Sequence, residues 1–301
     1  MPAPVFCQQV KRGQLDCLAI RHPLFQADIL LQGAQLIYFR PTDDPQPWLW
    51  LSRPAEYIPG QAVRGGIPVC WPWFGQADKN PAEVQQHIND ISSAGAHGFA
   101  RQQIWQLKQL QEKCDQVRLT LELESQHSEQ WRGHARASLC FTLRRERLEV
   151  ALTSHNLSDK TLHISQALHS YLPTEDIHSS YVRGLEQCDY RDALQLQDGD
   201  WRLCRQRGAV RFAAETDRIY FLPQARPVRL QTPARLWLLS SHGSRSCVVW
   251  NPWIDKSRRL SQFADDDYQR MLCIETANVM DDIICLPAGR QHTTTLTLQR
   301  G

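Results

Sequence analysis

The chain has 301 residues, of which 42% are hydrophobic and 22% charged, an ordinary globular balance that suffices for a sizeable core. Its 34 basic and 32 acidic residues leave a net charge of +2, too small for a nucleic-acid-binding or membrane-associated surface. Residues 1–13 lack the apolar stretch of a signal peptide, and no run approaches the roughly 18 apolar residues of a transmembrane helix, so we expect a cytoplasmic protein.

Alternating apolar and polar residues predict β-strands along most of the chain. The alternation is clearest in residues 117–123, 137–143 and 148–152, and residues 144–147 lie at hairpin spacing between two of these segments. Shorter segments of strand character follow at 162–164, 236–239, 247–250 and 296–298. This pattern is typical of half-buried antiparallel strands.

Helix signals are few. Residues 81–88 predict one or two turns, with Asn80 as the cap and Pro81 at the first helical position, and Ser257 to Phe263 predict another short helix. No βαβ rhythm, repeat or low-complexity linker is present. We therefore expect an all-β fold, a single antiparallel β-sandwich domain over residues 1–301, with a concave face or loop-rimmed cleft for a ligand.

The cysteines and histidines do not form the patterns of a disulfide framework or a metal site. Ten cysteines are scattered without a CxxC pair, and we interpret them as reduced thiols that pack as small core residues. Eleven histidines include no HxH or HExxH motif and no cluster at ligand spacing. We expect no metal and no cofactor.

The segment from Arg64 to Gly75 has the composition of a ligand-binding loop. A glycine pair follows Arg64, which suits a guanidinium that clamps an anion, and Trp71, Trp73 and Phe74 offer flat apolar surface on which a sugar could stack. The alternative is a rigid packed turn. A P-loop is excluded because the Lys-Ser/Thr ending is missing.

A second basic cluster, His97-Gly98-Phe99-Ala100-Arg101, resembles an ordinary turn when taken alone. Together with Arg64, however, Arg101 supplies a second guanidinium, and two are enough to grip a phosphate dianion. A neutral sugar would not need them.

Three further residues could act on such a ligand. His169 follows the strand near residue 164 and titrates near neutral pH, although a structural histidine is the alternative; Ser170 is poorly placed to be its nucleophile. Glu275 lies in an apolar strand, where a carboxylate must face solvent or a polar cavity. Asp217 could accept hydrogen bonds from sugar hydroxyls, or could belong to a surface Asp-Arg pair.

The ordered motifs from Arg64 to Ala277 together resemble the glucose-6-phosphate 1-epimerases of the aldose 1-epimerase superfamily. They are, in order, Arg-Gly-Gly-Ile-Pro, His-Gly-Phe-Ala-Arg, Leu-His-Ser-Tyr, Thr-Asp-Arg-Ile-Tyr, Val-Trp-Asn-Pro-Trp and Ile-Glu-Thr. The resemblance implies a galactose-mutarotase-like β-supersandwich with few short helices. It also implies interconversion of the α and β anomers of a hexose 6-phosphate by acid–base ring opening and closure.

The resemblance further implies the roles of individual residues. His169 would be the general acid and Glu275 the general base, Arg64 and Arg101 would bind the phosphate, and Asp217 would hold sugar hydroxyls, with His97 as a second contact. Relatives often carry a substrate-contacting Gln before the His-Gly-Phe-Ala-Arg motif, where this chain has Ala96, and the segment 76–94 is longer than usual. Both differences bear on substrate preference.

Two other functions remain open at this point. The chain could be a non-catalytic β-sandwich module that binds sugar phosphates, although it keeps both His169 and Glu275. It could also cleave glycosides with Asp217 and Glu275 as an acidic pair, but the arginine motifs would then have no role. We expect a monomer that acts on a small-molecule sugar phosphate, with neither nucleic acid nor membrane as a partner.

Overall fold

The computed structural model describes residues 5–126, 128–197 and 199–301, and in these ranges the chain is built mainly from β-strands. The strands are β1 (Cys7–Arg12), β2 (Leu15–His22), β3 (Phe25–Leu30), β4 (Leu36–Pro41), β5 (Val69–Cys70), β6 (Gln106–Glu112), β7 (Val117–Gln126), β8 (His134–Arg144), β9 (Arg147–Asn156), β10 (Leu162–Ile164), β11 (Gln166–Leu168), β12 (Tyr171–Pro173), β13 (Tyr181–Arg183), β14 (Asp189–Gln197), β15 (Asp200–Arg205), β16 (Val210–Arg211), β17 (Thr216–Phe221), β18 (Val228–Gln231), β19 (Leu236–His242), β20 (Ser246–Asn251), β21 (Met271–Asn278), β22 (Ile284–Leu286) and β23 (Gln291–Arg300). The helices are α1 (Ala82–Gln85), α2 (Trp253–Ser257) and short 3-10 turns at Ala77–Lys79, Ala100–Gln102, Ile177–Ser179, Asp267–Gln269 and Met280–Asp282.

Two large antiparallel sheets organise the molecule. The first has nine strands in the order β16-β13-β18-β19-β23-β9-β8-β7-β6, and the second, of eight strands, runs β15-β14-β17-β20-β21-β11-β5, with β12 also pairing to β21. A four-stranded sheet, β1-β2-β3-β4, and the pair β10-β22 complete the fold. The prediction of an all-β antiparallel fold is confirmed, including the hairpin in which Arg144 pairs with Arg147.

The two large sheets share one hydrophobic core. Phe141 and Leu152 come from the nine-stranded sheet, Leu168 and Ile274 come from the other, and all four are at most 2% exposed within the same cluster. Successive residues of a strand point to opposite faces, so the neighbour of Ile274, Glu275, is directed to the second face of its sheet. The core therefore fixes which side chains of β21 are available to a ligand.

The predicted helix at 257–263 is wrong, because the helix lies earlier, at Trp253–Ser257. The side-chain oxygen of Asn251 accepts a hydrogen bond from the backbone N–H of Trp253 at 2.9 Å and starts the helix there. Residue Gln262 has a positive φ of 54°, which is incompatible with continuing an α-helix. The start of this helix is thus set by a side-chain contact that helix propensities do not predict.

The predicted role of Asn80 as a helix cap is also wrong, and the helix after it is shorter than expected. The first helical residue is Ala82, and the helix ends at Gln85. The amide of Asn80 instead donates to the carbonyls of Phe74 and Gln76 at 2.8 and 2.9 Å. Asn80 thereby holds the end of the Arg64–Gly75 loop.

The ten cysteines are all free, as predicted. Three of them, Cys70, Cys247 and Cys273, are buried near Glu275, and burial raises the pKa of each thiol. They are therefore neutral packing residues. Within the described ranges no helix is both long and apolar enough to cross a membrane. The single-domain organisation and the monomeric state stay predictions.

Candidate active site

All six residues singled out in the sequence line one cavity of about 510 Å³: Arg64, His97, Arg101, His169, Asp217 and Glu275. The cavity lies on the face of the eight-stranded sheet opposite the main core. Its walls come from strands and from loops that are far apart in the chain. The fold therefore brings together residues separated by more than 200 positions.

The register of three strands places both carboxylates on the same face. Glu275 on β21 lies opposite Val248 on β20, and Asp217 on β17 lies opposite Trp250 on β20. Val248 and Trp250 are two residues apart, so they and their cross-strand partners face the same side. Asp217 is thus part of a strand that lines the cavity, and the surface-pair alternative is wrong.

His169 is fixed in the short connection between β11 and β12. Its backbone N–H donates to the carbonyl of Pro68 at 3.0 Å, and its ring stacks on Tyr171 with 4.8 Å between centroids and an interplanar angle of 12°. This places Nε2 of His169 3.4 Å from Oε1 of Glu275. Ser170 is turned away from the cavity, with its hydroxyl 3.5 Å from the carbonyl of Leu168.

Burial moves the pKa values of this pair in opposite directions. Burial first, and then the charges of Arg101 and Arg64, lowers the pKa of His169 to about 3. Burial first, and then Asp217, raises the pKa of Glu275 well above its ordinary value. These shifts favour a neutral imidazole beside a protonated carboxyl group.

The cavity holds polar atoms that lack protein partners. Nδ1 of His169, Oε2 of Glu275 and Nε of Arg101 are buried without a hydrogen bond to any described residue. Such atoms are rare in folded proteins, because each one costs free energy of desolvation. Their concentration in one cavity is typical of a site that a polar ligand completes.

Arg64 and Arg101 are held by backbone carbonyls. Nε of Arg64 donates to the carbonyl of Ser261 at 3.2 Å, and Nη2 of Arg101 donates to the carbonyl of Ala96 at 2.7 Å. Behind Arg64, Gly66 has a φ of 64°, and a Cβ atom there would lie 2.2 Å from the carbonyl oxygen of Leu36. Only glycine permits this approach, which places the arginine at the cavity.

His97 presents a hydrogen-bond donor. Its backbone N–H donates to the carbonyl of Gly75 at 2.8 Å, and its Nδ1 accepts from the N–H of Gly75 at 3.2 Å. Burial first, and then Arg101, lowers the pKa of His97 well below its ordinary value, so the ring is neutral. With Nδ1 accepting, the proton of the neutral ring must sit on Nε2.

The prediction that Trp71 and Trp73 form a stacking surface for a sugar is wrong. Both are at most 1% exposed, and their indole N–H groups donate to Oγ of Ser154 and to the carbonyl of Gly95. Of the three aromatic residues in that loop, Phe74 lines the cavity. The rigid packed turn thus describes the centre of the loop, whereas its two ends carry the ligand-facing residues.

Several other residues also line the cavity. Tyr171 and Trp250 belong to the Leu-His-Ser-Tyr and Val-Trp-Asn-Pro-Trp motifs but were given no role, and Gln76 and Lys79 come from the lengthened segment 76–94. Lys256 and Trp201 carry no signal in the sequence, because each looks like an ordinary helix or strand residue until the register of the sheet is known. Among the described residues, no group of three or more His, Cys, Asp or Glu side chains is arranged to hold a metal ion.

The sequence profile of the aldose 1-epimerases matches residues 16–299. The chain belongs to the aldose 1-epimerase family. A "putative glucose-6-phosphate 1-epimerase" of Escherichia coli K12 is 32% identical over 277 residues, which cover 91% of this chain and 87% of the relative. The family assignment makes the protein an isomerase of the epimerase (mutarotase) type.

Solved structures of relatives share its fold. A "putative mutarotase" from Salmonella typhimurium is 28% identical, with a TM-score of 0.83 over 99% of this chain and 95% of its own. A galactose 1-epimerase from Lactobacillus acidophilus is 12% identical, with a TM-score of 0.72 over 98% of each chain. The fold of this aldose 1-epimerase family member is therefore the galactose-mutarotase-like β-supersandwich expected from its motifs.

Proposed function

We propose that the protein interconverts the α and β anomers of a hexose 6-phosphate, with glucose 6-phosphate as the expected substrate. The observation that carries this proposal is the presence of the His169–Glu275 pair and two arginine guanidiniums in the same cavity. The pair suits proton transfer, and the guanidiniums suit a phosphate group. The name of the Escherichia coli relative supports the same substrate.

The proposed chemistry needs one base and one acid. Glu275 as a carboxylate removes the proton of the C1 hydroxyl, and His169 as an imidazolium donates a proton to the ring oxygen O5. The C1–O5 bond breaks, the C1–C2 bond of the open aldehyde rotates, and the reverse transfers close the ring on the other face of the carbonyl. Such acid–base assistance contributes about 10²–10⁴-fold to the rate.

The protonation states of His169 and Glu275 are compatible with this mechanism. A neutral imidazole with a protonated carboxyl and an imidazolium with a carboxylate contain the same number of protons. They differ by one proton moved between Nε2 of His169 and Oε1 of Glu275, which are 3.4 Å apart. A phosphate dianion on Arg64 and Arg101 offsets two of the charges that lower the pKa of His169 and so favours the imidazolium.

The remaining cavity residues position the sugar in this proposal. The carboxylate of Asp217 accepts hydrogen bonds from sugar hydroxyls, and Nε2–H of His97 donates one. Arg64 and Arg101 anchor the distant phosphate so that the ring oxygen O5 lies within reach of His169 and the C1 hydroxyl within reach of Glu275, which fixes the reacting groups in a productive orientation. Gln76, Lys79 and Ala96 border the same space and bear on which hexose is preferred.

Exchange NMR on equilibrium mixtures of anomers tests the proposal, because it measures the rate of interconversion directly. Glucose, galactose and mannose 6-phosphates are compared with the free sugars, and we expect the fastest catalysed exchange with glucose 6-phosphate. The substitution Glu275→Gln should abolish exchange but keep binding of the sugar phosphate in calorimetry. Glu122→Gln, on β7 of the other large sheet, is the matched control. Binding without catalysed exchange by the unmodified protein would instead indicate a non-catalytic module.

A further inference from the structure

Lys256 on α2 is the one lysine near Asp217 among the described cavity residues, and no motif had singled it out. Its Nζ lies 2.8 Å from Oε1 of Glu215 and 3.7 Å from Oδ2 of Asp217. It also lies 5.9 Å from the ring centroid of Trp250, within range of a cation–π contact. The ammonium group is therefore held between two carboxylates at the edge of the cavity.

Asp217 lies in an environment that disfavours its charge. Burial raises its pKa to about 6, Lys256 opposes this rise, and Glu215 and Asp192 add to it. The groups that face it are Glu215 beside its own strand, Asp192 on β14, Glu275 and the Cys273 thiol on β21, and Lys256 on α2. Of these groups, Lys256 alone is cationic.

The position of Lys256 is fixed by the structure around α2. The amide of Asn251 donates to the carbonyls of Tyr268 and Met271 at 2.9 and 2.8 Å, while its oxygen accepts from the N–H of Trp253. These bonds tie the start of the helix to the segment that leads into β21. With Glu215 holding its Nζ, Lys256 has little freedom to leave Asp217.

We propose that Lys256 is a positioning residue that keeps the Asp217 carboxylate ionised and oriented toward the sugar. It acts through Asp217 and takes no part in proton transfer at C1 or O5. The proposal rests on the proposed function, because it assumes that Asp217 contacts sugar hydroxyls. Its consequence is that Lys256 sets the lower pH limit for tight sugar binding.

A double-mutant cycle tests this role. When Asp217 is present, Lys256→Met should raise the KM for the sugar about 10-fold at pH 6–7, with little change in kcat. A change of this size corresponds to the loss of one charge-assisted hydrogen bond. The pH below which KM rises should move upward by roughly one unit, because a cation within 4–6 Å stabilises a carboxylate by about that much. Lys256→Arg should restore both values.

In the Asp217→Asn background, Lys256→Met should have no further effect, since no carboxylate remains to be held. Lys108→Met removes an exposed lysine on β6 of the nine-stranded sheet, whose Nζ donates to the side-chain oxygen of Gln106, and should leave the pH midpoint unchanged. An equal effect of Lys256→Met with and without Asp217 would overturn the proposal. So would an unmoved pH midpoint.

The same cycle, run with phosphorylated and free sugars, separates a failure of this proposal from a failure of the proposed substrate. If Lys256→Met raises the KM of the phosphorylated sugar alone, Lys256 contacts the phosphate, which contradicts a role exerted through Asp217. If the unmodified protein exchanges free aldoses but not hexose 6-phosphates, the proposed substrate fails, while the cycle is still measured on the free aldose. If it exchanges neither, the dissociation constant for glucose 6-phosphate from calorimetry replaces KM.

Discussion

Oε1 of Glu275 lies 3.4 Å from Nε2 of His169, and the two residues are only 2% and 9% exposed. A charged pair at this depth would lose much of its hydration, and the attraction between the charges does not always compensate for that loss. The opposite pKa shifts of the two side chains indicate that the pair avoids this cost by staying neutral. A substrate that supplies new hydrogen bonds and a phosphate charge can then make the ion pair favourable.

We predict that Glu275→Gln stabilises the protein increasingly as the pH rises from 5 to 8. The raised pKa of Glu275 means that, above its unfolded-state pKa, the folded protein binds more protons than the unfolded chain, so its stability falls with rising pH. Glutamine has no such titration and removes this penalty, so its advantage over glutamate in the free energy of unfolding should grow with pH. Urea unfolding of both proteins at pH 5 and pH 8 measures it, and an equal difference at both pH values would contradict the prediction.

A second prediction concerns the phosphate. Arg64→Met should raise the KM for glucose 6-phosphate roughly 10–100-fold, the effect of losing about 1.5–3 kcal/mol of charge-assisted hydrogen bonding, and should leave that for free glucose nearly unchanged. Both arginines also donate to a backbone carbonyl, Arg64 to that of Ser261 at 3.2 Å and Arg101 to that of Ala96 at 2.7 Å, so Arg64, which makes the longer bond, is the target of choice. Arg118→Met, on β7 of the nine-stranded sheet, is the control for loss of one positive charge. An unchanged KM for the phosphorylated sugar would mean that Arg64 does not bind the phosphate.

A third prediction follows from the causes of the low pKa of His169. Because burial is the largest cause and Arg101 and Arg64 follow, Arg64→Met should raise the pKa of His169 from about 3 but leave it below 6.5. The imidazole signals should therefore stay those of a neutral ring down to pH 5 in the unmodified protein. Titration followed by ¹⁵N NMR of the histidine side chains measures both values. If the pKa of His169 is the same in Arg64→Met as in the unmodified protein, a phosphate bound to Arg64 cannot favour the imidazolium by neutralising that arginine.

Parts of the structure that depend on local pattern were predictable from the sequence. The strands β7, β8 and β9 were anticipated because alternation with period two reports directly on a half-buried sheet. The helix α2 was misplaced because its start depends on the side chain of Asn251, which local propensity does not capture. The same limitation explains Asn80, whose amide binds loop carbonyls and not the helix start.

The candidate site was predictable for a different reason. Residues such as His169 and Glu275 were selected by short ordered motifs, and periodicity alone would have left each with a structural explanation. Lys256 was missed, and Trp250 was part of a motif but was given no role, because their place in the cavity depends on the pairing of β17, β20 and β21, which is non-local. Trp71 was misassigned because its aromatic character suits a core as well as a sugar-binding surface.

The backbone beside His97 gives a final prediction, which compares two glycines of similar conformation. Gly98 and Gly75 have φ values of 64° and 61°, so alanine at either position incurs the cost of a left-handed residue, about 1–2 kcal/mol. A Cβ at Gly98 would also lie 2.1 Å from the carbonyl oxygen of Trp71, whereas no atom lies within 4 Å of one at Gly75.

The two substitutions should therefore differ in their effect on stability. That carbonyl oxygen accepts hydrogen bonds from the N–H groups of Phe99 and Ala100, so relieving the clash in Gly98→Ala must disturb the turn that carries Arg101. We expect Gly98→Ala to lower the free energy of unfolding by at least about 2 kcal/mol more than Gly75→Ala and to weaken sugar-phosphate binding. Urea midpoints of the two variants provide the measurement. Equal midpoints would mean that the turn relieves the clash at no cost in stability, and that Gly98 is needed only for its positive φ.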